Sequence, residues 1–140
     1  MEWVVFAHLA AAWFMAGVIW YVQIVHYPSF AWIDRGRFAA FEASHRTLTS
    51  YVVMPVMLTE LVSGLWLLWQ QPTRTLLHVE LGLLALIWAT TFLVSVPLHE
   101  RLSAGYDEAA AKRLVATNWP RCWLWTARAA MVFFLLEVTA

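Results

Sequence analysis

His26, His45, Glu60, His99, Asn118, Arg121 and Arg128 stand at the ends of, or inside, apolar stretches of this sequence that are long enough to cross a membrane. Ionisable groups at that depth are expensive, so each calls for a partner or a function. Neutral imidazole ligates metal or haem iron and also relays protons. His26, His45 and His99 are therefore candidate ligands for haem or a transition metal, and His45 and His99 are also candidate catalytic groups. Glu60 joins them as a buried base or charge partner, and Arg128 as its counter-charge. The planar fork of a guanidinium suits an anionic or carbonyl group, which makes Asn118, Arg121 and Trp125 the candidate substrate-binding set. No HxxxH spacing is present, so a ligand set of His26, His45 and His99 has to be assembled from separate helices.

Helical spacing brings these groups onto shared faces. Thr91, Ser95 and His99 fall at i, i+4 and i+8, and Asn118, Arg121, Trp125 and Arg128 at i, i+3, i+7 and i+10. His45 and Glu60 share one broad face with Thr49 and Thr59. Glu60 and Arg128 both lie well inside their segments, and a direct ion pair is the natural way to make both tolerable. Breaking such a pair strands a charge at about 3–5 kcal/mol, so it can also be purely structural. Glu80 and His78, beside a short turn, are expected to face water; His8 stands alone in the first segment.

The elements that must position this set follow from composition. Of 140 residues, 62% are hydrophobic, 13% are charged and 10 are Trp, which excludes a disordered chain and an ordinary soluble domain. Formal net charge is +0, with no basic patch for nucleic acid. The single Cys122 excludes an internal disulfide. Four segments read as spans: Trp3–Val25, Leu48–Trp69, Leu76–Leu98 and Trp119–Val138. Each has about 20–23 residues, about 30–35 Å of helix, which matches the hydrocarbon core of a bilayer. The start, Met1-Glu2-Trp3, lacks the positive region of a cleavable signal, so the first segment is expected to be kept as a span. Gln70-Gln71-Pro72-Thr73-Arg74 makes a short turn between spans two and three. The expected fold is all-α, a membrane-embedded antiparallel four-helix bundle in a single domain over 1–140. Its first connection, His26–Arg46, opens extended at His26-Tyr27-Pro28 and then becomes an amphipathic helix. Pro97 is expected to kink span three.

Arg35, Arg37, Arg46, Arg101, Lys112, Arg113 and Arg121 lie on the first and third connections, and Arg74 alone on the second. The positive-inside rule then places those two connections in the cytoplasm and both termini outside.

The residues His26-Tyr27-Pro28, His45-Arg46, Pro55 and Glu60, with Val96-Pro97-Leu98-His99-Glu100-Arg101-Leu102 and Leu114–Arg121 and Trp125–Arg128, resemble a family of small bacterial four-helix integral membrane proteins. The likeness covers nearly the whole chain, and the Pro-Leu-His and Asn-Trp-x-Arg regions are distantly similar to anthrone-oxygenase-like membrane proteins. His8 with Trp13–Gly17, and Met54–Thr59 with Gly64–Leu68, look like the first two spans of the bacterial haem-containing protoporphyrinogen oxidase. In that family a first-span His and a third-span Lys are proposed haem ligands. His8 fits the first, whereas the third span here offers His78-Val79-Glu80 and no lysine.

Two classes of function follow. One is a membrane enzyme, redox or metal- or haem-dependent, that acts on a lipophilic small molecule at the cytoplasmic end of the bundle. The other is a non-catalytic accessory subunit, or a pigment-, haem- or lipid-binding scaffold, within a homo-oligomer or a larger membrane complex. Transport by a dimer ranks third. The enzyme calls for a closed pocket lined by the polar groups; the scaffold calls for an exposed aromatic face with those groups paired off internally.

Overall fold

The computed structural model describes residues 2–135, which are all-helical. Helix α1 (Glu2–Tyr21) continues through a π-helical segment (Val22–His26), the single turn α2 (Tyr27–Ser29) and a 3-10 turn (Phe30–Trp32). Helix α3 (Phe38–Gln70) is the longest at 33 residues. Helix α4 (Thr75–Thr90) passes through a second π-helical segment (Thr91–Ser95) into α5 (Val96–Ser103), and α6 (Glu108–Phe133) completes a helical bundle.

Three stretches, Glu2–Trp32, Phe38–Gln70 and Thr75–Ser103, are long and apolar enough to cross a membrane, with mean hydropathy of 1.7, 1.7 and 2.1. Over its described residues helix α6 is not among them; it carries Lys112, Arg113, Arg121 and Arg128. The end of the expected fourth span, Glu137 and Val138, lies outside the described residues.

Each helix buries one stripe. On α1 it is Val5, His8, Ala12, Met15 and Ile19; on α4 it is Leu77, Glu80, Leu84 and Ile87. The opposite faces stay apolar: Trp3, Tyr51, Trp69 and Leu93 are all at least 73% exposed. A water-soluble bundle would place charge there. The interior holds two apolar clusters. One joins α1, α3, α4 and α6 through residues such as Met15, Met57, Ile87 and Trp125. The other, at the end where α2 lies, gathers Tyr27, Phe30, Phe38, Leu98, Leu102 and Leu114.

The two π segments share one design. Tyr27 N–H bonds to Val22 O, and Val96 N–H bonds to Thr91 O, and in both cases the next residue is proline, Pro28 or Pro97. A proline ring collides with the carbonyl four residues earlier and cannot donate to it. Widening the preceding turn by one residue relieves that collision without ending the helix. The expectation of an extended His26-Tyr27-Pro28 is thereby corrected. His26 (φ −69°, ψ −50°) and Tyr27 (φ −63°, ψ −41°) are helical: the local preference for extended backbone before proline is overridden by the helix that continues through them.

The real break in the first connection comes at Ile33, which is extended at ψ 126°. A turn follows in which Asp34 Oδ1 accepts from Gly36 N–H at 2.9 Å, before α3 begins. The first and third connections meet: the Arg35 guanidinium lies 3.4 Å from the centre of the Tyr106 ring, and Phe38 packs edge-on against the same ring. Asp107 caps α6 by accepting from Ala110 N–H at 3.0 Å and pairs with Arg101 at 2.6 Å. The amide hydrogen bond, then the guanidinium, hold its carboxyl below the usual range. At the other end Arg74 donates to Phe134 O at 3.0 Å.

Helices α1, α3 and α4 approach closely at Gly64. A Cβ there would lie 2.7 Å from Leu81 Cδ2 and 3.1 Å from His8 Cε1. Gly64→Val is expected to destabilise the bundle by about 1–3 kcal/mol through overpacking. Gly17→Ala, with nothing within 4 Å of its added carbon, is expected to leave stability unchanged or slightly raised. Equilibrium unfolding in detergent micelles checks the pair.

Candidate functional site

The polar residues separate into two groups at different levels of the bundle. The first surrounds a cavity of about 330 Å³ between α1, α3 and the Thr91–Ser95 segment. Its rim carries the exposed Ser50 and Phe92, and its floor the buried Met15, Ile19, Met57 and Arg121. His45, His99, Tyr27, Thr49, Thr91 and Ser95 line it as well. The stripe Thr91, Ser95, His99 thus reaches one cavity, as its spacing requires.

Both π segments deliver a buried polar side chain to α6. Ser95 Oγ accepts from Arg121 Nη1 at 3.1 Å, and Gln23 Oε1 accepts from Asn118 Nδ2 at 2.8 Å. Asn118 Oδ1 in turn accepts from Arg121 Nη1 at 2.9 Å, so Asn118 stands behind Arg121 and holds it rather than lining the cavity. Arg121 is 8% exposed, its Nε is buried with no hydrogen-bond partner, and no carboxylate pairs with it among the described residues. A buried guanidinium held only by neutral groups has unused capacity for an anion.

The three histidines come together. His26 and His45 stack with ring centres 3.7 Å apart and 18° between planes, and His45 and His99 are 5.8 Å apart. His26 also stacks on Phe41 and sits behind His45, outside the cavity lining. Thr49 Oγ1 lies 3.1 Å from His45 Nδ1. His99 Nδ1 is hydrogen-bonded to Glu42 Oε1, and Glu42 is fully buried with its second oxygen unpartnered. Glu42 was not legible as a site residue, since in sequence it belongs to a charged connection far from His99. Face-to-face stacking of His26 on His45 does not aim their nitrogens at a common point. Among the described residues no three His, Cys, Asp or Glu side chains are placed to hold one metal ion. The metal and haem reading of His26, His45 and His99 therefore gains co-location but no ligand geometry.

The second group lies deeper, nearer the Gln71–Arg74 turn, and does not line the cavity. Arg128 Nη1 donates to Glu60 Oε1 at 3.0 Å, as the depth argument requires, and Nη2 donates to Glu80 Oε1. Glu80 is fully buried, which corrects its expected place in water; His78 is exposed as expected. His8 Nε2 lies 3.2 Å from the same Glu80 oxygen, and His8 Nδ1 lies 2.8 Å from Ser63 Oγ. All four ionisable side chains are 0% exposed. Trp125 lies beneath Arg128, its ring centre 5.1 Å from the guanidinium carbon, rather than in the cavity.

The signal for His8 and Glu80 was periodicity. Each occupies a position in the buried stripe of its helix where every neighbour is apolar.

Because Arg128 has two carboxylate partners, Glu60→Gln leaves it neutralised by Glu80, whereas Arg128→Met strands both carboxylates. Arg128→Met is expected to lose about 3–5 kcal/mol and Glu60→Gln clearly less. The double variant is expected to recover part of the Arg128→Met loss. Additive effects in that double-mutant cycle, measured by unfolding in micelles, would show that the groups are not coupled.

No protein-family model, no curated protein and no solved structure matches this chain, so its chemistry has to be read from this geometry.

Proposed function

We propose that this chain is an integral membrane protein, an antiparallel four-helix bundle in a bacterial inner membrane. We further propose that it is an acid–base enzyme for a lipophilic small molecule with a carbonyl or carboxylate head. The supporting observation is the unpaired Arg121 on the floor of an apolar-walled cavity that His45, His99 and Tyr27 also line. A volume of about 330 Å³ is at the small end of the range for ligand pockets. The rim, between Ser50 on α3 and Phe92, opens sideways from the bundle, which suits a molecule arriving from within the bilayer.

The roles follow from the hydrogen bonds. Glu42 engages His99 Nδ1 and orients the ring, which leaves Nε2 as the nitrogen free to exchange a proton with a bound molecule. Arg121, held by Ser95 and Asn118, binds the oxygen on which negative charge develops. The reaction class is proton abstraction next to a carbonyl. The C–H proton goes to His99 Nε2, its electron pair forms a double bond to the carbonyl carbon, and the carbonyl π pair moves onto the oxygen facing Arg121. In a substrate with a β,γ double bond, return of the proton to the γ carbon moves that double bond into conjugation and regenerates the carbonyl, an isomerisation without an external oxidant. Asn118 acts through Arg121, and His26 through His45. The resemblance to small bacterial four-helix membrane proteins agrees with this architecture.

A second reading, an accessory subunit, draws support from an aromatic group on the α1–α6 surface. Trp20 contacts Trp119 and Trp123 edge-on at 5.9 Å and 5.4 Å, and Trp123 is 61% exposed. A stable hetero-complex that leaves the cavity empty would favour it.

Two experiments test the proposal. Removing Arg121 strands no partner charge among the described residues, so Arg121→Met is expected to fold, at the cost of its hydrogen bonds to Ser95 and Asn118. Its binding of a medium-chain fatty acid probe, measured by tryptophan quenching in nanodiscs, is expected to fall at least tenfold. His99→Ala is expected to keep that affinity, because His99 serves the chemistry. Equal binding by wild type and Arg121→Met rejects the cavity as the site.

For orientation, Arg35→Cys and Arg113→Cys are expected to label from the cytoplasmic side and Thr73→Cys from the opposite side. Labelling of Arg35→Cys and Arg113→Cys from different sides overturns the topology.

A further inference from the structure

The cluster around Arg128 takes no part in the cavity chemistry, and it contains an imbalance. Among the described residues, each helix packed there contributes a polar or charged side chain that faces it. They are His8 from α1, Glu60 with Ser63 from α3, Glu80 from α4 and Arg128 from α6. One guanidinium against two ionised carboxylates leaves one negative charge over, with all four ionisable side chains 0% exposed. An isolated charge without water costs several kcal/mol, so the group as a whole is driven to neutrality.

Hydrogen counting leads to the same place by a separate route. The Ser63 hydroxyl has one hydrogen and donates it to Thr59 O at 2.5 Å. Its oxygen can then only accept from His8 Nδ1, 2.8 Å away, so Nδ1 carries a hydrogen. In a neutral imidazole that leaves a bare lone pair on Nε2, which faces the Glu80 oxygen at 3.2 Å. The approach is off the line of a strong hydrogen bond, yet two lone pairs at this distance repel between fully buried side chains. One added proton, on His8 Nε2 or on Glu80 Oε1, removes the repulsion. The same proton brings the charge to zero.

We infer that His8, Glu80, Arg128 and Glu60 form a proton-binding site that holds one exchangeable proton, on His8 Nε2 or on Glu80 Oε1. The proton comes from water as hydronium, and no electron moves. Ser63 gives the site a route outward. Besides contacting His8, it lines a groove between α1 and α3 whose other walls include Trp3, Ala7, Thr59 and Trp66. Glu80→Gln is the matched proton-free isostere. Its carbonyl oxygen in the Oε1 position accepts from Arg128, and Glu60 with Arg128 is then neutral without the extra proton.

The test uses the full chain in nanodiscs near neutral pH. Nitrogen NMR of histidine-labelled protein, with His8→Gln to assign the signal, reads the His8 ring. Infrared difference spectra between wild type and Glu80→Gln read the carboxyl groups. The expected result is either hydrogen on both His8 nitrogens or the carbonyl stretch of a protonated carboxylic acid. Whichever signature wild type shows is expected to be lost in Glu80→Gln. A neutral His8 with both carboxyls ionised in wild type overturns the site, and that measurement needs no variant of the carboxylates. A signature that persists in Glu80→Gln overturns it as well.

Discussion

One guanidinium fixes the assembly of this bundle. Arg128 lies at the point where α1, α3, α4 and α6 all contribute a polar atom, and it is fully buried. Such a group is weak evidence for stability, since desolvation offsets much of the Coulomb attraction. Its effect is on specificity. Turning any of these helices by one residue about its axis takes His8, Glu60, Glu80 or Arg128 out of reach of the others. Apolar faces alone would tolerate such a slip, because α1 and α3 present apolar residues on nearly every side. The close contact of Gly64 with Leu81 and His8 sets the spacing at which the cluster can close.

With the deep end locked, the other end is free to carry a cavity. The cluster joins the helices near the Gln71–Arg74 turn, while the π segments sit at the level of the cavity and open each helix by one wide turn. At that level Gln23 and Ser95 reach α6, and Arg121 is held by neutral groups instead of a counter-ion. The two cations on α6 therefore have opposite characters. Arg128 is neutralised by two carboxylates, and Arg121 has no carboxylate beside it among the described residues. Sites that break a local rule of charge balance are where function is expected in an otherwise consistent fold.

Much of this was legible from spacing. The α6 face of Asn118, Arg121, Trp125 and Arg128 is buried throughout, and the stripe Thr91, Ser95, His99 reaches the cavity. The pairing of Glu60 with Arg128 followed from their depth. What spacing did not separate was the level of each group, so one site was expected where cavity and ion cluster are distinct. Glu80 was read from its nearness to a turn, although its place in the stripe with Leu77, Leu84 and Ile87 marked it as buried. Glu42 was hidden for a different reason. Its partner His99 comes from another helix, and local pattern carries no information about that contact. Nor did composition foreshadow the π segments, because proline announces a break and not the manner in which a helix absorbs it.

Those segments have a consequence for how the chain tolerates changes in length. A π segment is an α-helix that holds one extra residue, so it is a place where a residue can be deleted and a regular helix restored. Elsewhere in α1 or α4 a one-residue deletion turns everything beyond it by about 100° and carries Tyr27 or His99 to another face. Within Val22–His26 or Thr91–Ser95 the deletion removes the extra residue and the faces beyond it stay in place. The regular turn that results then presses a carbonyl against Pro28 or Pro97. Each proline and the wide turn before it therefore form one unit of length, to be lost or kept together.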